Sequence, residues 1–383
     1  MHRLLDRSRI ARKIRTGLRE SPVTTLLGAR QVGKTTLAQM VAGQNRRDTV
    51  FDLETAPARR ALAAPEIALR DLRGLVVIDE IQRMPELYEV LRPLADRRSR
   101  PARFLLLGSA SPDLVRGAAE TLAGRTSFVH VPGFSIDEVG HEHQDRLWIR
   151  GGFPRSFLAR GAAASLRWRE GFAATFLERD VPQLGMRIPA TALRRFWVML
   201  AHYHGQTWNA SELARTMDVS PKTSRHYLDI LHGAFLVRVL PPWFENLKKR
   251  QVKAPKVYLR DSGLLHHLLG IDNLAALRSH PRYGASWEGF ALEQVLAFAG
   301  ERDAYFWATQ RGAELDLLLL RKGKRYGFEF KCADAPGMTR SMHVAMEDLG
   351  LHTLYVVYPG TERYRLQKRV EVLPLAELMK LRW

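Results

Sequence analysis

Hydrophobic positions fall into short apolar runs separated by longer segments of helix-compatible, mixed polarity. Val23–Leu27, Val50–Leu53, Leu75–Ile78, Phe104–Leu107 and Ser127–Val131 are runs of four or five residues bounded by Gly, Ser or acidic side chains. Runs this short predict buried strands of a parallel sheet, with helices between them. The pattern breaks at Pro132-Gly133 and again at Gly151-Gly152-Phe153-Pro154. From there to about Gly205 the period is helical, as in Leu193, Phe196, Trp197 and Leu200. A third texture begins near Asn209, with short helices followed by extended segments. From about Trp287 a helix leads into a β-hairpin rich in charge.

The 383 residues allow two or three domains at about 150 residues each. With 46% hydrophobic and 9% aromatic residues, real cores can form and wholesale disorder is excluded. Lys and Arg number 59 against 40 acids, a formal charge of +19. That excess attracts polyanions, of which nucleic acid is the commonest, although a membrane surface would satisfy the same charge. The single Cys332 excludes an internal disulfide framework and any cysteine-rich zinc site. No apolar h-region opens the chain, and no apolar run approaches the roughly 18 residues of a span. The expectation is a soluble cytoplasmic protein with no membrane partner.

Gly28-Ala29-Arg30-Gln31-Val32-Gly33-Lys34-Thr35 satisfies G-x-x-x-x-G-K-[ST] between the strand Val23–Leu27 and the helical run Thr36–Val41. The glycines permit a backbone nest for phosphate, and the helix N-terminus adds positive potential. Lys34 would reach the β- and γ-phosphates, and the Thr35 hydroxyl would ligate Mg²⁺. Residues Gly28 to Thr36 form the expected ATP cradle.

Leu75-Val76-Val77-Ile78-Asp79-Glu80 is a hydrophobic strand ending in two acids. Asp79 can orient Mg²⁺ and its water shell, and Glu80 is placed to polarise an attacking water as general base. Phe104–Leu107 ends in Gly108-Ser109. Ser109 reads either as a γ-phosphate sensor or as a helix cap. Arg125 reads either as a finger reaching a neighbouring subunit's nucleotide or as a surface ion pair.

These motifs, GARQVGKTTL, VVIDEIQ, LLGSAS, LAGR and GGFP, resemble the bacterial and archaeal AAA-type ATPases fused to a C-terminal domain of unknown function. The resemblance implies five parallel strands, with the sensor strand between the phosphate-loop and acidic strands. It also implies that Arg125 falls at the finger position and that a small helical lid follows Val131; a homo-oligomer is expected. Many relatives have an acidic residue after GGFP, whereas this chain has Arg155.

Residues 209–228 read as helix, tight turn, helix, with Asn209 as N-cap and Glu212 completing a box-like arrangement. Leu213, Ala214, Met217 and Val219 would face inward. Lys222, Arg225 and His226 would face outward, as a DNA-recognition helix requires. The basic run Lys248, Lys249, Arg250, Lys253, Lys256 extends that surface. The alternative is a winged helix used only for packing between domains.

Residues 314–331 predict a hairpin turning at Lys322-Gly323. Glu329 and Lys331 share a face at period two, and Asp316 on the partner strand can join them. With Glu288 on the preceding helix, the set Asp316…Glu329-x-Lys331 resembles the PD-(D/E)XK nuclease core, which implies a divalent metal on Glu288, Asp316 and Glu329 with Lys331 assisting. The alternative is an exposed hairpin face of alternating charges. His202 and His204 read as core or lid histidines.

The expected fold is α/β: a P-loop AAA-type parallel sheet over 1–131, a helical lid over 132–205, a winged helix over 206–275 and a nuclease-like α/β domain over 276–383. The expected function is a Mg²⁺-dependent ATPase acting on DNA, branched or single-stranded more than plain duplex. Its rivals are a nucleotide-controlled signalling switch and a DNA-binding regulator with an inactive nuclease fold.

Overall fold

The computed structural model describes residues 5–42, 47–97, 102–108, 120–183, 186, 188–244 and 251–382. The chain forms two compact units, one of residues 1–133 with 233–235, the other of residues 134–232 and 236–383.

The first unit is built on a parallel sheet of β1 (Val23–Leu27), β2 (Thr49–Asp52), β3 (Gly74–Asp79), β4 (Ala102–Leu107) and β5 (Thr126–His130). The spatial order is β2-β3-β4-β1-β5, so β4 separates the phosphate-loop strand from the acidic strand, as the resemblance implies. All five residues of β1 are buried, as are five of the six in β3. Strands covered on both faces need such unbroken apolar or Thr sequences. The edge strands β2 and β5 alternate or face solvent instead. Helix Ser8–Glu20 buries Ile10, Ala11, Ile14 and Gly17 against this layer. On the other face, Leu53, Leu62, Leu87 and Leu91 join Val76, Ile78, Phe104 and Leu106 in one core.

The second unit holds the residues of the expected lid, middle module and C-terminal domain apart from 132–133 and 233–235. Its six-stranded sheet runs β13-β14-β12-β11-β10-β9. The strands are β9 (Ala304–Ala308), β10 (Glu314–Arg321), β11 (Lys324–Phe330), β12 (Thr353–Tyr358), β13 (Tyr364–Gln367) and β14 (Val370–Pro374). β9, β10 and β11 form an antiparallel meander, and β11, β12 and β14 pair in parallel. Helix Tyr283–Ala299 precedes β9, and helix Arg340–Asp348 links β11 to β12. Lys322 and Gly323 both have positive φ, 48° and 74°, the conformation a two-residue hairpin turn demands.

A smaller sheet runs β6-β8-β7, from β6 (Gln206–Thr207), β7 (Val237–Leu240) and β8 (Lys256–Leu259). Between β6 and β7 come helices Ala210–Met217 and Pro221–Gly233. The Asn209 side chain accepts from the amides of Ser211 and Glu212 at 3.2 and 3.3 Å, the cap its sequence position predicts. Glu212 does not close the expected box through a backbone amide; it accepts from the Tyr203 hydroxyl at 3.4 Å. Leu213, Ala214 and Met217 are buried, whereas Val219 is only half-buried.

Helix Ser262–Leu268 starts where the Asp261 carboxylate accepts from Leu264 N at 2.8 Å and Gly152 N at 2.7 Å. A Cβ on Gly263 would fall on the backbone of Arg150 and Gly151. Gly263→Ala should therefore destabilise the second unit by about 3 kcal/mol, the upper part of the range for overpacking. Thermal unfolding followed by circular dichroism checks this, and an unchanged melting profile would contradict the close approach.

Candidate nucleotide site and C-terminal carboxylate centre

The loop from β1 to helix Lys34–Val41 places Gln31 and Gly33 at φ 61° and 97°. Left-handed residues in succession with ordinary ones turn backbone N–H groups toward a common centre, which suits an anion. Gly28 cannot carry a Cβ, because it would collide with the Val131 carbonyl. Lys34, only 7% exposed, donates to the carbonyls of Gly28 and Ala29, both at 2.9 Å. Burial lowers its pKa to about 8; Glu80 and Asp79 pull it upward and Arg30 pulls it further down. An ammonium held by neutral carbonyls is electrostatically under-compensated, so an entering phosphate gains from it.

Asp79 ends β3, and its Oδ2 accepts from the Thr35 hydroxyl at 2.6 Å. Burial raises the Asp79 pKa, against the Thr35 hydrogen bond that lowers it. A hydroxyl oxygen and a carboxylate this close, at a helix N-terminus, are the hard-oxygen donors Mg²⁺ prefers, so the residues fit that ion. Glu80 follows at φ 55°, ψ 44°, a sparsely populated conformation for a non-glycine residue. Its carboxylate accepts a short hydrogen bond from Gln82 Nε2. Arg30 and Arg83 both reach Glu54, at 3.3 and 3.5 Å.

Sequence reasoning missed two residues here. Arg7 is buried and donates to the carbonyls of Val32 at 3.1 Å, Pro132 at 2.9 Å and Gly133 at 3.3 Å. It fastens the chain entering the first helix to the phosphate loop. Nothing distinguished it among the basic residues of the N-terminus. Gln82 lies within VVIDEIQ, and its two-residue offset from Glu80 was the available signal.

Arg125 makes the ion pair, with Nε and Nη2 donating to Asp96 at 2.6 and 2.9 Å. Ser109 lies outside the described residues.

In the second unit the hairpin face of alternating charge is not exposed. Asp316 and Glu329 are 7% and 5% exposed, and the β10–β11 register that pairs Leu317 with Phe328 sets them opposite each other one position further on. Burial raises both carboxyl groups to a pKa of about 7, with Glu288 adding to the shift at Asp316, and Asp316 to that at Glu329. Glu329 accepts from Lys331 Nζ at 2.7 Å. Glu288 accepts from the Tyr258 hydroxyl at 2.6 Å and from Lys256 Nζ at 3.2 Å. Lys256 does not belong to a surface basic run; it is buried among these carboxylates, and sequence reasoning missed that position. No group of three His, Cys, Asp or Glu side chains among the described residues is arranged to hold a metal ion.

On helix Pro221–Gly233, Lys222, Arg225 and His226 are exposed. Lys248, Lys249 and Arg250 lie outside the described residues. His204 is buried, with Nδ1 accepting from Leu259 N at 2.9 Å, so it is a core histidine; His202 is exposed. No described helix is long and apolar enough to cross a membrane.

Phosphate binding favours the charged form of Lys34. Nucleotide affinity should therefore be flat below pH 8 and fall by up to about tenfold per unit as pH rises past it. A fluorescent-nucleotide titration from pH 7 to 9.5 checks this, and affinity unchanged across that range would contradict the depressed Lys34 pKa.

Residues 20–140 match the AAA domain. Residues 141–275 and 283–378 match two domains of unknown function, DUF8612 and DUF4143. Among solved structures, the Walker-type ATPase PABY2304 of Pyrococcus abyssi superposes with a TM-score of 0.50, covering 70% of this chain and 96% of that one at 16% identity. That likeness is one of fold. The uncharacterised proteins Rv2008c of Mycobacterium tuberculosis and Mb2031c of Mycobacterium bovis are each 50% identical over 376 residues, 98% of this chain and 85% of theirs. The chain belongs to one family with these two mycobacterial proteins, and its AAA domain gives it an AAA-type P-loop ATPase fold at the N-terminal end.

Proposed function

We propose that this protein is a Mg²⁺-dependent ATPase that acts on DNA, branched or single-stranded more than plain duplex. The observation that carries the ATPase reading is the set Lys34, Thr35, Asp79 and Glu80, gathered at the carboxyl edge of one sheet with Thr35 2.6 Å from Asp79. Lys34 and the loop amides hold the phosphates, while Thr35 and Asp79 hold the ion. An ion held there would neutralise phosphate charge and help align the terminal phosphate for in-line attack. Glu80 accepts the proton of the attacking water. In a homo-oligomer, Arg125 would have to leave Asp96 before reaching a neighbour's nucleotide.

The DNA reading rests on the +19 charge and on the exposed Lys222 and Arg225. The order helix, strand, two helices and two strands around the β6-β8-β7 sheet supports a winged-helix assignment. The order helix, three strands, helix, strand from Tyr283 supports a nuclease-like one. A cytoplasmic location accords with both. The presence of Lys256 among Glu288 and Asp316 favours the variant reading in which that second fold does not cleave.

Lys34→Ala should abolish nucleotide binding or turnover. Glu80→Gln should bind ATP but hydrolyse it about 10²–10⁴-fold more slowly, the usual worth of a general base. Equal turnover of Glu80→Gln and wild type would remove Glu80 from its role. Measuring the ATPase rate with duplex, single-stranded and four-way DNA tests the substrate, since stimulation by none of them would leave a protein-directed switch.

DNA affinity should fall with salt, because phosphate contacts release counterions. Replacing Lys222 and Arg225 by Ala should weaken binding and flatten the slope of log affinity against log salt by up to about 2. Fluorescence anisotropy across a salt series reads both quantities. An unchanged slope would move the contact away from this helix.

A further inference from the structure

Lys256 is 4% exposed and stands on β8, the central strand of the three-stranded sheet, where it faces Thr207 of β6 and Leu240 of β7. Paired on both sides, its backbone has little freedom to withdraw. The Nζ lies 5.9 and 5.8 Å from the ring centres of Tyr258 and Phe306, so the ammonium sits in an aromatic-walled slot. It reaches Glu288 Oε1 at 3.2 Å and Asp316 Oδ1 at 3.7 Å, and it contacts Glu314 directly.

Further hydrogen bonds hold these carboxyl groups in place. Asp316 Oδ2 accepts from Phe330 N at 2.9 Å, and Glu288 Oε1 also accepts from the Tyr258 hydroxyl. Glu329 gives Oε1 to Lys331, while its Oε2 is buried with no hydrogen-bond partner. Burial disfavours the charge on Lys256, yet Tyr258, Glu288, Asp316 and Glu314 together hold its pKa well above the ordinary lysine value. Three carboxyl groups and two aromatic faces around the Nζ favour its ammonium form.

A divalent ion on these carboxylates needs their oxygens at about 2.0–2.6 Å, and those of Glu288 and Asp316 already face a cation. Binding such an ion would either set two cations side by side or strand Lys256 as an unpaired buried charge. The metal implied by the resemblance of Asp316…Glu329-x-Lys331 to nuclease cores does not fit the residues as they stand. We propose that Lys256 is the resident cation of this centre, and that the carboxylates take a divalent ion only when that ammonium is removed.

The test titrates the full-length protein with Mn²⁺, without ATP or DNA, and reads free Mn²⁺ by electron paramagnetic resonance. Wild type and Asp316→Asn should bind the same amount of Mn²⁺. Lys256→Gln, checked for folding by circular dichroism, should gain one Mn²⁺ per chain that Lys256→Gln/Asp316→Asn loses. A Mn²⁺ bound by wild type and lost in Asp316→Asn would overturn the proposal, as would a folded Lys256→Gln that gains none. Should Lys256→Gln not fold, the comparison of wild type with Asp316→Asn decides by itself. Failure of the ATPase or DNA reading would leave these titrations unchanged.

Discussion

The hydrogen bond from Thr35 to Asp79 at 2.6 Å closes a gap that the sheet topology creates. β4 lies between β1 and β3, so the two motif-bearing strands are separated by two inter-strand spacings, about 10 Å. Only a loop that rises above the sheet edge and re-enters as a helix can bring a hydroxyl back across that distance. Gly28 permits the tight exit beside Val131, and Gln31 and Gly33 supply the left-handed turns. Arg7, holding the Val32 carbonyl at 3.1 Å, helps fix where the loop can lie. Nucleotide chemistry in this unit thus depends on backbone geometry before any charge is counted.

In the second unit the constraint is the burial of charge. Arg238 and Arg260 are largely buried and share Glu293 and Glu301. Arg169 is fully buried and donates to the carbonyls of Gly263 at 2.8 Å and Ile149 at 3.3 Å. Removing one partner from such a set leaves an uncompensated charge, which costs several kcal/mol. Arg238 and Arg260 are balanced by their two glutamates, whereas the buried Arg169, held by carbonyls, is one positive charge of the +19 excess that describes no polyanion-binding face. Basic residues such as Lys222 and Arg225, exposed on one helix, carry that argument better than the total.

What was legible in the sequence was local. The five expected strands coincide with β1 to β5 to within about two residues, because a buried parallel strand and a phosphate loop are both encoded by contiguous residues. Asn209, the Lys322-Gly323 turn and the facing of Asp316 and Glu329 were readable for the same reason. Lys256 was not: its proximity to Glu288 and Asp316 arises from tertiary packing across 32 and 60 positions of sequence, and in isolation it looked like one more member of a basic run. The contact of Arg125 with Asp96 spans 29 positions and was equally hidden from the sequence.

Lys34 and Lys256 show why burial alone does not define a functional lysine. Both are nearly inaccessible, at 7% and 4% exposure. Lys34 has carbonyl oxygens as its hydrogen-bond partners, and burial prevails, bringing its pKa down to about 8. Lys256 is met by carboxylates, and their charge outweighs the same desolvation, driving its pKa the other way. The first is a cation short of negative charge and gains from an incoming phosphate; the second already has its counter-ions and gains nothing from a ligand. The direction of the shift, set by whether burial or the neighbouring carboxylates prevail, separates a ligand-seeking ammonium from a structural one.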